Sequence, residues 1–283
     1  SFWCKVNFSF GAQVSETDIN SFDDKDLTAL MAASFYGHIE NVESLLRVDG
    51  INVNASNKKG FTALMLASKN NNLPVVEALL RADGIDINIA SKKGFTALFI
   101  ASGMGHIKIV QALLSVDASL INSFDKNGCT ALIIASMKGH LKVVKELLQV
   151  AAIDVNMADF FGNTALLQAS INGHSAVVKE LLNAEGIDFN VSEFFGKTPL
   201  MMASKFGHIE IVDALLKVDG IDIYAYNHFR KTAKMMASEH GHFAIVEMIQ
   251  NYMNAHPFTA EKTSRFVNYE SHNPYFSSQT IAK

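Results

Sequence analysis

Cysteine is scarce in this chain: Cys4 and Cys129 are the two among 283 residues. They are too few for a disulfide framework, and neither sits in a CxxC or Cys/His zinc spacing. Sparse thiols fit a reducing compartment, so the expected location is the cytoplasm, with the nucleus open. Apolar runs are short. None approaches the roughly 20 residues needed to cross a bilayer, which excludes a helical membrane anchor and reads as a soluble chain. Basic charge is not in excess, with 24 Lys and Arg against 28 Asp and Glu and a formal net charge of −4. That balance argues against nucleic acid, whose phosphates need clustered cations. Residues 1–16 lack the basic-then-apolar layout of a secretory signal. Ser1 in place of Met reads as a trimmed or partial chain. Finally, no HExxH, GxSxG, phosphate-binding glycine loop or kinase signature is present, so neither a catalytic site nor a cofactor is expected.

What the chain has is a period. Thr28, Thr62, Thr96, Thr130, Thr164, Thr198 and Thr232 stand 34 residues apart, each followed by Ala or Pro. An Ala-Ser pair follows each of them, from Ala33-Ser34 to Ala237-Ser238. Gly-His recurs at Gly37-His38 and from Gly105-His106 to Gly241-His242, with Asn71-Asn72 standing there in the second repeat. A Val follows in each unit and a Leu-Leu pair closes the first six, as in Val144 and Leu147-Leu148. The reading is helix, turn, helix, extended loop. Thr is a good N-cap, Gly supplies the left-handed residue that ends a helix, and Pro199 fits a first helical position. One such hairpin cannot bury its own apolar stripe, so neighbours must stack. The loops carry Asn54, Asn88, Asn122, Asn156 and Asn190, then Gly60, Gly94, Gly128, Gly162 and Gly196. Both residue types tolerate positive φ, which predicts β-hairpin fingers at right angles to the helices.

A 34-residue period also suits tetratricopeptide repeats, but their Trp…Leu-Gly…Tyr signature is missing. The motif Thr-Pro-Leu, Ala-Ser, Gly-His, Val, Leu-Leu, Gly-Ile-Asp-Ile-Asn resembles the ankyrin family over residues 17–254. The resemblance implies an all-α repeat solenoid of helix-turn-helix units with β-hairpin fingers and a role in binding proteins. One departure stands out. The His that the family places three residues after Thr is apolar here (Met31, Met65, Phe99, Ile133, Leu167, Met201, Met235). The family's Thr–His bond is then absent, and packing must carry more of the stability.

The expected organisation is an N-terminal partial repeat or cap over 1–20, seven repeats over 21–254 and a polar, flexible tail over 255–283. The segment 1–16 either covers the first repeat or is the remnant of an eighth. The seventh repeat reads as a C-terminal cap, because Lys234 replaces the inner Leu and Ile249-Gln250 replaces Leu-Leu. In the tail, Asn273-Pro274-Tyr275-Phe276 looks like a short NPxF adaptor motif.

The repeated histidines occupy a structural turn. Repeats stacked at about 8–10 Å cannot share a metal whose ligands lie about 2 Å away. His240 and His242 form an isolated HxH without a third ligand, so no metal is expected. The finger tips vary more: Asn57-Lys58-Lys59, Ser91-Lys92-Lys93, Asp125-Lys126-Asn127, Asp159-Phe160-Phe161, Glu193-Phe194-Phe195 and Asn227-His228-Phe229. They change from basic to aromatic. Either the lysines are solubilising and some phenylalanines fold back, or the row recognises a partner. Consecutive Phe residues in an extended hairpin should point to opposite sides, which leaves one of each pair exposed. The resemblance implies that the first-helix ends border the same surface, adding Tyr36, Met104, Met137, Ile171 and Phe206. The expected partner is a protein of unknown identity and the chain a monomer. Two alternatives are the targeting or substrate-recognition arm of a larger enzyme or effector whose catalytic domain is not in this chain, and a nucleic-acid binder using Lys58, Lys59, Lys92, Lys93 and Lys126.

Overall fold

The computed structural model describes residues 19–119 and 121–257. It divides into two compact units, Ser1–Leu120 and Ile121–Lys283, each built from the same repeat. The expectations for the segment 1–16, the NPxF motif and the tail beyond residue 257 lie outside the described residues.

In the first unit the helices run α1 Ala29–Tyr36, α2 Ile39–Leu46, α3 Ala63–Lys69, α4 Leu73–Leu80, α5 Ala97–Met104 and α6 Ile107–Val116. The second unit continues with α7 Ala131–Met137, α8 Leu141–Leu148, α9 Ala165–Ile171, α10 Ser175–Leu182, α11 Pro199–Phe206, α12 Ile209–Leu216, α13 Ala233–Glu239 and α14 Phe243–Ala255. Within each unit, first helices pack on first helices and second helices on second helices.

Every first helix begins as its threonine predicts. The seven Thr side chains accept the N–H three residues on, from Phe99 to Thr96 at 3.1 Å to Met235 to Thr232 at 3.3 Å. Glycine ends α1, α5 and α11 in the left-handed region, and Asn71 takes the same conformation at φ 59°.

The core follows the period. Val42, Val76, Val110, Val144, Val178 and Val212 are fully buried, as are Leu79, Leu147, Leu181, Leu215 and Ile249. Each such side chain contributes about 1.5–3 kcal/mol on burial. The apolar residues that replace the family's histidine belong to this core: Met31, Met65, Ile133, Leu167 and Met201 are all buried. The unmade Thr–His bond is thus replaced by packing. Phe99 is only part-buried, and Met235 in the last repeat lies exposed. There the Lys234 ammonium donates to Gln250 Oε1, so two of the residues that break the apolar pattern pair with each other.

One expectation about the loops needs correction. The asparagines at 54, 88, 122, 156 and 190 are not left-handed; among the described residues the non-glycine residues with positive φ are Asp26, Asn71 and Arg230. Asn54, Asn122, Asn156 and Asn190 instead bridge to the next repeat. Asn156, for example, donates to Gly186 O at 2.7 Å and accepts from Asp188 N–H at 2.8 Å. Asn88 donates to the Asp117 carboxylate, at the end of the longer helix α6. That amide, with the Ser119 N–H and hydroxyl, holds the Asp117 carboxyl below its ordinary range. The fingers are hairpins closed by tight turns, with little strand pairing. Among the described residues their ladder amounts to single bridges, Phe124 to Thr130, Ala158 to Thr164 and Tyr226 to Thr232.

Candidate protein-binding surface

Each finger turns on one polar residue that the sequence reading placed at the tip. Asp159 is typical: its N–H donates to Asn163 O at 3.0 Å, and its carbonyl accepts from Gly162 N–H at 2.9 Å. Its carboxylate then accepts the N–H groups of Phe161 at 2.9 Å and Asn163 at 2.8 Å. Asp125 and Asn227 do the same, while Ser91 and Glu193 each accept one such N–H. These five side chains are buried at the turn base. A short polar residue opening a turn was the available signal, because Asx and Ser side chains reach their own backbone two to four residues on.

That arrangement leaves the next two residues as the corners. Lys58, Lys59, Lys92, Lys93 and Lys126 stand exposed there, as does His228. Phe160, Phe161, Phe194, Phe195 and Phe229 are 43%, 64%, 52%, 45% and 64% exposed. Both members of each Phe pair therefore face solvent. The expectation that paired rings point apart fails at Phe194 and Phe195, whose rings meet edge to face at 5.4 Å. They occupy the corners of a turn closed by the Gly196 N–H to Glu193 O bond, where the alternation of an extended strand does not apply.

Successive fingers are tied together within each unit. Lys92 N–H donates to Lys59 O at 3.0 Å in the first. In the second, Phe160, Phe194 and His228 donate to Asn127, Phe161 and Phe195 at 2.8, 3.0 and 2.9 Å. The finger glycines sit in this seam. A Cβ on Gly128 would lie 2.8 Å from Phe160 N, and one on Gly60 would lie 2.8 Å from Lys92 N.

The helix-end candidates divide. Tyr36, Met104 and Phe206 are exposed at 59%, 48% and 44%, whereas Met137 and Ile171 are only part-exposed. The carbonyls of Met137 and Ile171 accept the Nε2–H of His174 and His208, each at 3.0 Å. Since a carbonyl can only accept, these imidazoles carry their proton on Nε2. His106 and His242 make the same staple to Lys69 O and Lys205 O. Asn72 replaces it with its amide, which donates to Ser34 O and Phe35 O. The Gly-His turn is therefore a bond between repeats. A Cβ on Gly173 would strike the His208 ring at 2.7 Å. His240 engages Met236 O through Nδ1 while His242 reaches Lys205 O, so the HxH pair is committed to two separate bonds.

Sequence reasoning missed the cations that accompany the aromatic corners. Lys197 Nζ lies 5.0 Å from the Phe195 ring centre, Arg230 lies 5.8 Å from that of half-exposed Tyr226, and Lys205 lies 5.2 Å from that of Phe206. In the last repeat Lys231, at the base of the finger, pairs with Glu239 at the far end of α13, so finger and inner-helix end share a face. Cys129 holds no activated thiolate. Burial pushes its thiol up to about 12, and the carboxylates of Asp125 and Asp159 add to the effect.

Among the described residues, no helix is long and apolar enough to cross a membrane. A family model for ankyrin repeats (3 copies) matches overlapping stretches at residues 6–91, 30–125, 84–159, 116–193 and 166–259. No curated protein matches the chain. Among solved structures it is similar to the ankyrin repeat domain of Bcl-3, described as a unique member of the IkappaB protein family. The likeness is 25% identity and a TM-score of 0.68, over 80% of this chain and 100% of that one. The threonine caps, the Gly-His staples and the turn-built fingers are the recurring parts of one known unit, and the chain belongs to the ankyrin repeat family.

Proposed function

We propose that this chain is a non-enzymatic interaction module that binds a partner protein through its finger corners and the exposed ends of its inner helices. Ankyrin repeats are generally protein–protein interaction modules, and the Bcl-3 likeness supports the same reading here. The observation that carries it is the row of solvent-facing phenylalanines at 160, 161, 194, 195 and 229. The turn bonds set their backbone, yet these residues are left 43–64% exposed. A patch of this kind costs solubility unless a partner covers it. Burial of each ring against a partner contributes about 1.5–3 kcal/mol, so a few anchors suffice for micromolar affinity after association costs. The partner is read as intracellular, in keeping with a chain of two cysteines.

The test is affinity capture from the source-cell lysate with the wild-type chain and with Phe160, Phe161, Phe194 and Phe195 changed together to Ala. The expected result is a set of captured proteins that disappears with the variant while the helical circular-dichroism signal is unchanged. Capture that survives in full contradicts the reading.

A further inference from the structure

We infer that the aromatic fingers of the second unit take an extended segment in which acidic residues alternate with large apolar ones. The inference rests on the interaction-module reading and names the chemistry of the partner.

Charge is the first ground. The chain as a whole is acidic at −4. The acids of these fingers are nevertheless withdrawn from the surface: Asp125, Asp159 and Glu193 are buried at the turn bases, where they accept backbone N–H groups. Apart from Glu239, which is paired with Lys231, the charge that the fingers and neighbouring helix ends show to solvent is cationic. Lys126 is exposed at a corner, Arg230 lies beside Tyr226, and Lys205 lies beside Phe206. None of the three forms an ion pair among the described residues. A surface that buries its own acids between exposed rings and unpaired cations is complementary to a segment carrying both carboxylates and apolar anchors.

Spacing is the second ground. Phe195 and Phe229 hold equivalent corners of successive fingers, and their rings stack with centres 6.4 Å apart. An extended chain advances about 6.7 Å over two residues. Alternate side chains of such a segment would therefore meet successive rings. The corner-to-corner hydrogen bonds at Phe160, Phe194 and His228 recur with lengths of 2.8–3.0 Å, so the pitch is set by backbone and not by side-chain choice.

The experiment uses the full chain and fluorescein-labelled dodecapeptides read by anisotropy. One alternates Phe with Glu, a second has Ser for Glu, a third Lys for Glu, and a fourth is all Glu. The Phe/Glu peptide is expected to bind best, and added salt is expected to weaken it. Changing Phe195 and Phe229 together to Ala is expected to weaken it at least about tenfold. Lys205→Gln with Arg230→Gly is expected to weaken the Phe/Glu peptide but not the Phe/Ser one. Equal binding of the Phe/Ser or the all-Glu peptide overturns the inference, as does no peptide binding at all. So does retention on phosphatidylserine vesicles that exceeds the peptide signal, which would make the rings a membrane contact. If the lysate partners vanish with the four-Phe variant and no peptide binds, the module reading stands and this inference alone fails.

Discussion

The fingers of the first unit and those of the second share one construction and carry opposite chemistry. At Asn57 and at Asp159 a buried or part-buried polar side chain accepts the N–H groups two and four residues on, with a left-handed glycine three residues on closing the turn. The corners between are Lys58-Lys59 in one case and Phe160-Phe161 in the other. Hydrogen bonds at fixed offsets close the turn in both cases, so the identity of the two corner side chains can vary and serve recognition. The first unit presents ammonium groups at Lys58-Lys59 and Lys92-Lys93; the second presents rings at Phe160-Phe161 and Phe194-Phe195, after a first finger that still carries Lys126.

If the construction is common, damage to it should cost the same in both units. Gly60→Ala and Gly128→Ala each force a Cβ to within 2.8 Å of the next finger's backbone nitrogen at a φ near 80°. Both are expected to lower stability by about 2–3 kcal/mol in urea unfolding. Gly84→Ala meets open space, so it carries only the backbone strain of about 1 kcal/mol. Unequal costs at Gly60 and Gly128 would break the comparison.

A smaller effect is expected at the staples between repeats. His174→Ala leaves Met137 O without its donor and should cost about 1–2 kcal/mol. His174→Asn should recover most of it, because Asn72 already makes the equivalent bonds in the second repeat. An Asn variant as unstable as the Ala variant would mean that ring packing, not the hydrogen bond, holds the seam.

Arg230 sharpens the comparison from the opposite direction. It stands where five other fingers have Gly, at φ 60°, which costs a non-glycine residue about 1 kcal/mol. Arg230→Gly is expected to raise stability by about that amount in the same assay. Unchanged stability would mean that the contact with Tyr226 offsets the strain.

The scaffold was legible because its signals are local. A threonine cap, a left-handed glycine and an apolar heptad-like stripe each act within a few residues, and each recurs seven times or nearly so. The replacement of the family's histidine by Met31, Ile133 or Leu167 also announced its own consequence, since an apolar side chain beside a core helix is buried. What stayed hidden depends on partners about 30 residues away. Asn156 looks like a turn residue until its bonds to Gly186 and Asp188 are seen, and His174 looks like a turn histidine until it meets Met137. For the candidate surface, the corner residues themselves were readable. The burial of Asp159 and the placing of Lys197 over Phe195 were not, because both follow from the closed turn.

The central claim is that the corner side chains are not needed to close the turns and that they carry the binding. The most direct measurement exchanges Phe160-Phe161 and Phe194-Phe195 for the Lys-Lys pair found at 58–59 and 92–93, then records urea unfolding and partner capture on the same protein. The account predicts a stability within about 1 kcal/mol of wild type, as for other surface changes, together with loss of capture. A loss of several kcal/mol, or capture that persists, would contradict it.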